Sequence, residues 1–188
     1  MSRHKLESEL WVPAALDEVW EISKDPKNLA KLTPAAYGAT IECDGPAREG
    51  SEVIIHMAPM GVSIPIAWVS LIENFKGEGD LREFTDVQKS GPFKFWKHRH
   101  VFEKGVSEIT GRSHETAARP TRNMTPGTWV KDFVEYELPA GALGEVAHKI
   151  FARKNLENLF AYRRKIFQQM FGINTEETVT VPVTQQKL

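Results

Sequence analysis

The stretch Phe84-Thr-Asp-Val-Gln-Lys-Ser-Gly-Pro-Phe-Lys-Phe-Trp-Lys-His-Arg-His100 decides the reading of this chain. Its pattern predicts two strands, Leu81 to Gln88 and Phe93 to Glu103, joined by the turn residues Ser90-Gly91-Pro92. Side chains alternate across a strand. Phe84, Asp86 and Gln88 therefore share one face, and Trp96, His98, His100 and Phe102 share one face of the next strand. Apolar rings beside a few polar heads describe a ligand pocket better than a plain core.

Upstream of this hairpin, Lys5 to Val12 alternates, with Leu6, Ser8, Leu10 and Val12 on one side. Leu16, Val19 and Trp20 follow helical spacing to about Ser23. Asp25-Pro26 supplies a cap and a first-turn proline for a second short helix, which ends at Thr33-Pro34. Tyr37 to Cys43, Glu52 to Met57 and Val62 to Glu73 are strand-like. The second of these buries Val53, Ile55 and Met57, or else Ile54 and His56. The third alternates Ile64, Ile66, Trp68, Ser70 and Ile72, and Pro65 marks an edge or a bulge in it.

Downstream, Thr128 to Leu138 sets Val130, Asp132, Val134, Tyr136 and Leu138 on one face. Leu143 to Phe171 reads as one kinked helix whose apolar stripe rotates near Arg153 to Glu157, with its second half facing the sheet and Gly172 as its cap. Lys104 to Gly127 is a long polar connection, with a strand extension open around Glu108 to Glu115. Thr175 to Leu188 is a tail, in which Val179 to Val183 alternates and could add a strand to an edge.

Composition bounds the function. A chain of 188 residues suits one domain with a sizeable core. An apolar fraction of 41% and a mean hydropathy of -0.37 are those of a globular protein. A net charge of -1 argues against a nucleic-acid partner. No run approaches the ~20 apolar residues of a transmembrane segment, and the first residues lack the apolar stretch of a secretory signal. Cys43 is the only cysteine, so a cytoplasmic location is expected.

An antiparallel sheet needs cover on one face, and a single long helix supplies it if the sheet curls around it. Val12-Pro13 with Val19-Trp20, Leu32-Thr33-Pro34, Phe84-x-Asp86-x-Gln88, Gly91-Pro92-Phe93-x-x-Trp96-x-His98-x-His100-x-Phe102, Asp132-x-Val134-x-Tyr136-x-Leu138-Pro139 and Phe160-x-Tyr162-Arg163 follow one another in that frame. In this set and order the chain resembles the START / polyketide cyclase (SRPBCC) superfamily, and most of all its stand-alone bacterial ligand-binding members. The resemblance implies an α+β helix-grip fold: a curved seven-stranded antiparallel sheet around a long C-terminal helix, with two short helices after strand 1. It implies one domain over residues 1–174, followed by a tail at 175–188; the long insert at 104–127 departs from the family pattern, and nothing is carried over onto it. It also implies a cavity for a small hydrophobic or amphipathic ligand, and no fixed catalytic set.

Trp68, Phe84, Trp96, Phe102, Tyr136, Phe160 and Phe167 are expected to line the apolar part of that cavity, and Asp86, Gln88, His98, His100 and Asp132 to hold its polar end. Asp132 and Tyr136 join the others if the last strand pairs beside Phe93 to Glu103. A buried carboxylate needs a partner, and the histidines are the nearest candidates. The group reads as an internal polar network, as recognition of a ligand head group, or as a general acid/base pair. Arg163, on the long helix near the inferred pocket face, could meet an acidic ligand group, though an Arg in a helix is more often a surface charge or a partner for a carboxylate such as Asp86 or Asp132. His-x-His with a carboxylate is also a zinc pattern. Without cysteine ligands, and with neighbours able to satisfy both rings, no metal and no cofactor are expected. Binding, transport or sensing of a small hydrophobic ligand is the leading function. A cyclase or dehydratase and a regulatory or stress-related interaction protein are the alternatives, and a homodimer stays open.

Overall fold

Alternation governs β1 (Arg3–Val12), where Leu6, Ser8, Leu10 and Val12 are buried while Glu7 and Glu9 face outward. The computed structural model describes residues 3–58, 66–108, 124–139, 152–172 and 183–186. After β1, α1 (Leu16–Ser23) buries Leu16, Val19 and Trp20. Two short 3-10 turns follow, Pro26–Ala30 and Ala35–Tyr37. Asp25 caps the first of them by accepting the Lys27 N–H at 3.0 Å, and Pro26 sits where a missing N–H costs nothing. The remaining elements are β2 (Thr40–Cys43), β3 (Glu52–Met57), β4 (Ile66–Lys76), β5 (Leu81–Ser90), β6 (Phe95–Glu108), β7 (Met124–Glu137), α2 (Arg153–Met170) and β8 (Val183–Gln186).

The strands form one antiparallel sheet in the order β2-β3-β4-β5-β6-β7-β1-β8. β1 to β7 make the curved seven-stranded grip, and β8 extends it at the β1 edge, with Leu6 opposite Val183. The central register sets Phe84 opposite His100 and Asp86 opposite His98 across β5 and β6. Across β6 and β7 it sets Trp96 opposite Tyr136 and His100 opposite Asp132. α2 lies against the sheet. Its Leu156 and Phe160 pack with Leu6, Trp96, Val134 and Tyr136, while Phe167 joins the core that holds Leu10, Val12, Trp20 and Phe102. The helix ends where Phe171 N–H meets the Phe167 carbonyl at 3.1 Å and Gly172 turns left-handed at φ 72°.

Several bounds differ from the sequence pattern. Tyr37 belongs to a 3-10 turn and Gly38 is left-handed at φ 55°, so β2 starts only at Thr40. The second short helix after β1 is a 3-10 turn of 5 residues. β4 runs on to Lys76 through register shifts between Val69 and Ser70 and between Glu73 and Lys76, with Asn74 at φ 54°. β6 and β7 also run further than their apolar alternation does, since Lys104 to Glu108 pairs with Thr128 to Met124. From Arg153 to Met170 the helix is continuous. The expectations placed on 62–65, 109–123, 140–151 and 173–182 lie outside the described residues. Among the described residues no helix is long and apolar enough to cross a membrane.

Candidate functional site

Between the sheet and its helices lies a cavity of about 310 Å³. Its walls are mostly apolar. Leu10, Val53, Ile55 and Ile72 face it from the strands, Leu29 and Leu32 from the segment after α1, and Leu156 and Phe167 from α2. Strand alternation explains why β3 presents Val53, Ile55 and Met57, and β4 presents Ile66, Trp68, Ser70 and Ile72.

One patch of this wall is polar. Asp86, His98, His100 and Asp132 form a closed ring of contacts in which each imidazole meets both carboxylates. His98 Nε2 stands 2.9 Å from Asp132 Oδ1, and its Nδ1 stands 3.2 Å from Asp86 Oδ2. His100 Nε2 stands 3.0 Å from Asp86 Oδ2, and its Nδ1 stands 3.2 Å from Asp132 Oδ1. Two of these contacts join directly opposed residues and two join diagonal ones, as a twisted antiparallel sheet allows. The second oxygen of Asp86 accepts from Trp96 Nε1 at 3.1 Å and from the Ser70 hydroxyl at 3.5 Å. The His98 side chain is 2% exposed, against 17% for His100, 16% for Asp86 and 17% for Asp132. His98 is thus the most buried of the four, and all four stand on the cavity wall.

Burial pushes the Asp86 carboxyl up, but hydrogen bonds and charge from His100 and His98 outweigh it and hold the group well below the usual carboxylate range. Asp132 is held low in the same way, burial being outweighed first by the His100 hydrogen bond and then by His98. For His100, burial favours the neutral ring, yet hydrogen bonds to Asp132 and Asp86 and their charges raise its pKa. Both carboxylates are therefore held in their ionised form, and His100 is biased toward its charged form.

Two arginines of α2 complete the polar wall. Arg164 Nη1 donates to the Glu9 carbonyl of β1. The Arg163 guanidinium stands over the Phe160 ring, 5.1 Å from its centroid. Burial lowers the Arg163 pKa, while the charges of Asp132 and Asp86 act on it in the other direction. As for a metal, Asp86, His98 and His100 offer ligand atoms within 4.8 Å of one another, a donor set suited to a small divalent cation. However, the two imidazoles stack with centroids 3.7 Å apart and 38° between their planes. Every ring nitrogen already faces a carboxylate oxygen. The arrangement fits hydrogen bonding better than metal ligation.

The family model described as "Polyketide cyclase / dehydrase and lipid transport" matches residues 12–161. The chain belongs to the polyketide cyclase / dehydrase and lipid transport family. Solved structures agree with this family fold. The Thermus thermophilus protein TTHA0849 is similar at 17% identity, over 88% of this chain and 98% of that one, with a TM-score of 0.57. A norcoclaurine synthase point mutant of Thalictrum flavum, solved with a transition-state analogue, is similar at 15% identity, over 90% and 98%, with a TM-score of 0.54. A START superfamily protein of Mycobacterium smegmatis is similar at 15% identity, over 89% and 99%, with a TM-score of 0.52. At such identities the likeness is one of fold. No curated protein matches the sequence.

In this polyketide cyclase family member, Trp68, Phe84, Trp96, Phe102 and Phe167 stand on the cavity wall, as do Asp86, His98, His100, Asp132 and Arg163. Three residues expected beside them do not. Gln88 turns its amide to the hairpin, donating to the Phe93 carbonyl at 2.7 Å and accepting the Phe93 N–H at 3.2 Å. Tyr136 is fully buried in the smaller core cluster, edge-on to Phe93 at 5.8 Å, where burial pushes its hydroxyl pKa up. Phe160 is also fully buried and meets the His98 ring edge-on at 5.4 Å, behind the polar wall. The sequence pattern passed over Ser70 and Arg164 as site residues. Ser70 was within reach of it, because it alternates with Trp68 and Ile72. Arg164 was not, since a basic pair on a helix is more often solvated.

Proposed function

We propose that this chain binds a small hydrophobic or amphipathic molecule in the cavity between its sheet and C-terminal helix, as one helix-grip domain over residues 1–174 with a C-terminal tail. The cavity carries the reading: about 310 Å³ of unfilled space with apolar walls and a single polar patch. That is the usual build of a small-molecule site, whose volume runs from about 300 to 1,000 Å³. Trp68 and Trp96 stand on the wall with their rings 4.8 Å apart, so an occupant changes the surroundings of both. The test is native mass spectrometry of the purified chain, together with titration of tryptophan fluorescence by fatty acids, isoprenoids and aromatic compounds. A retained ligand or saturable quenching supports the proposal. A bare chain with no saturable response to any of them overturns it.

A second reading, a cyclase- or dehydratase-type enzyme, draws on the partial exposure of His100 to the cavity. That imidazole is the group from which a substrate could take a proton. All of its nitrogens are held by carboxylates, however, and acid/base work would require one of those contacts to open. Binding therefore has the better support. Turnover that disappears in His100→Gln while ligand affinity persists would reverse that preference.

A further inference from the structure

Asp86 Oδ1 has donors of its own in Trp96 Nε1 and the Ser70 hydroxyl. Among the described residues, the side chains that reach Asp86 Oδ2 and Asp132 Oδ1 are the two histidines. His100 spans these oxygens, with Nε2 3.0 Å from the first and Nδ1 3.2 Å from the second. A charged imidazole donates through both nitrogens, whereas a neutral one has a single N–H. The neutral ring therefore sets one bare nitrogen against a carboxylate oxygen, two acceptors with no hydrogen between them.

This mismatch falls on the cavity wall, where His100, Asp86 and Asp132 each keep some exposed surface. Opposed acceptors without a donor cost free energy, and a water that donates to both removes the cost. With the ring charged, each of its contacts has its own N–H and no water is needed. The charge on His100 thus decides whether this part of the wall must stay wet. The charged and titratable groups around the ring are Asp86 on β5, His98 on β6, Asp132 on β7, Arg163 and Arg164 on α2, and Lys24 after α1. Both carboxylates stay ionised, the guanidinium groups keep their protons, and Lys24 pairs with Glu21 at 2.7 Å. Phe84 stacks on the His100 ring with centroids 4.4 Å apart. The hydrogen bonds and charges of Asp132 and Asp86 raise the His100 pKa, which puts its change of charge above about pH 6.5.

We infer that the proton on His100 gates the cavity: a fully apolar occupant enters while the ring is charged and is released once the ring is neutral. An occupant with a hydroxyl group is held in both states, because its O–H takes the place of the water. The inference rests on the binding reading above and adds its control by pH. Linkage makes the effect reciprocal, so a bound apolar molecule keeps the proton on His100 and moves its transition to higher pH.

The test is a pH series on the full chain from about pH 6 upward. NMR signals of the His100 ring locate its transition. Isothermal titration on either side of it measures propylbenzene and 3-phenyl-1-propanol, which share one body and differ by a hydroxyl group. Propylbenzene affinity should fall about tenfold across the transition, the effect of one buried acceptor left without a donor, and 3-phenyl-1-propanol affinity by less than about threefold. Saturating propylbenzene should raise the His100 transition by about one pH unit. In His100→Gln, whose amide does not titrate, the pH dependence of propylbenzene binding should vanish; the ring signals of the wild type test the same coupling if that variant does not fold. A propylbenzene affinity that stays flat up to alkaline unfolding, an equal fall for both probes, or a fall that survives in His100→Gln overturns the proton gate and leaves cavity binding in place. If neither probe binds at any pH, both readings fall together.

Discussion

Asp132 shows how little freedom the polar wall has. Its Oδ1 meets one nitrogen of each histidine, so removing it leaves two imidazoles facing an empty acceptor site. The cost is that of stripping one partner from a buried ion pair. Asp132→Ala should lower the free energy of unfolding by about 3 kcal/mol in urea titration. A loss below about 1 kcal/mol would mean that the contacts are as weak as surface pairs. Linkage adds a pH signature. Asp86 and Asp132 have depressed pKa values, so their contribution is present above the unfolded value of about 3.9 and is lost as pH falls through the folded one. His100 is raised, so its contribution is complete below about 6.5 and is lost as pH rises through its folded value. The cluster thus stabilises most between about pH 4 and pH 6.5. The urea midpoint should decline above that window in the wild type, and this alkaline decline should be weaker in His100→Gln. Parallel profiles for the two proteins would show that His100 gains no proton on folding.

At the scale of elements, the strands were legible where alternation is strong and illegible where glycine intervenes. Asp86, His98 and His100 could be placed on one face from sequence, because period-two alternation determines facing. Which nitrogen meets which oxygen could not be read, because it depends on the stagger and twist of three strands. Gly105 and Gly127 read as parts of a loop, yet they lie opposite each other in the β6–β7 ladder. They are there for close approach. A Cβ on Gly127 would run into the Val12 carbonyl oxygen, and it would meet the Trp11 ring at 2.6 Å. A Cβ on Gly105 would run into the Trp129 indole. The obstacles differ in kind, since a backbone carbonyl in a paired strand is fixed and an indole can shift. Gly127→Ala should therefore cost about 2 kcal/mol, the scale of overpacking, and Gly105→Ala less. Thermal midpoints of the two variants in the same buffer decide it, and the reverse order would mean that the Trp129 ring is the more rigid neighbour.

For the whole molecule, what the sequence pattern could not show is the space itself. A void is where side chains stop, and that is set by how far the sheet curls and where α2 sits on it. Ile55 and Val134 are both apolar strand residues, with nothing local to tell them apart. Ile55 looks into the cavity, whereas Val134 is 1% exposed in the packed cluster of Leu6, Trp96, Tyr136 and Phe160. Packed interiors resist added volume at a cost of about 1 to 3 kcal/mol, while atoms lining a void lack partners on one side and gain contacts when it is filled. Ile55→Trp should therefore leave unfolding free energy within about 1 kcal/mol of the wild type, or raise it, and it should reduce ligand binding tenfold or more by occupying the site. Val134→Phe should be destabilised by about 1 to 3 kcal/mol. Urea titration of both variants and fluorescence titration of Ile55→Trp test the two halves of this expectation. Were Ile55→Trp destabilised as much as Val134→Phe, the interior next to Ile55 would be filled by protein, and a pocket there would have no room for any ligand.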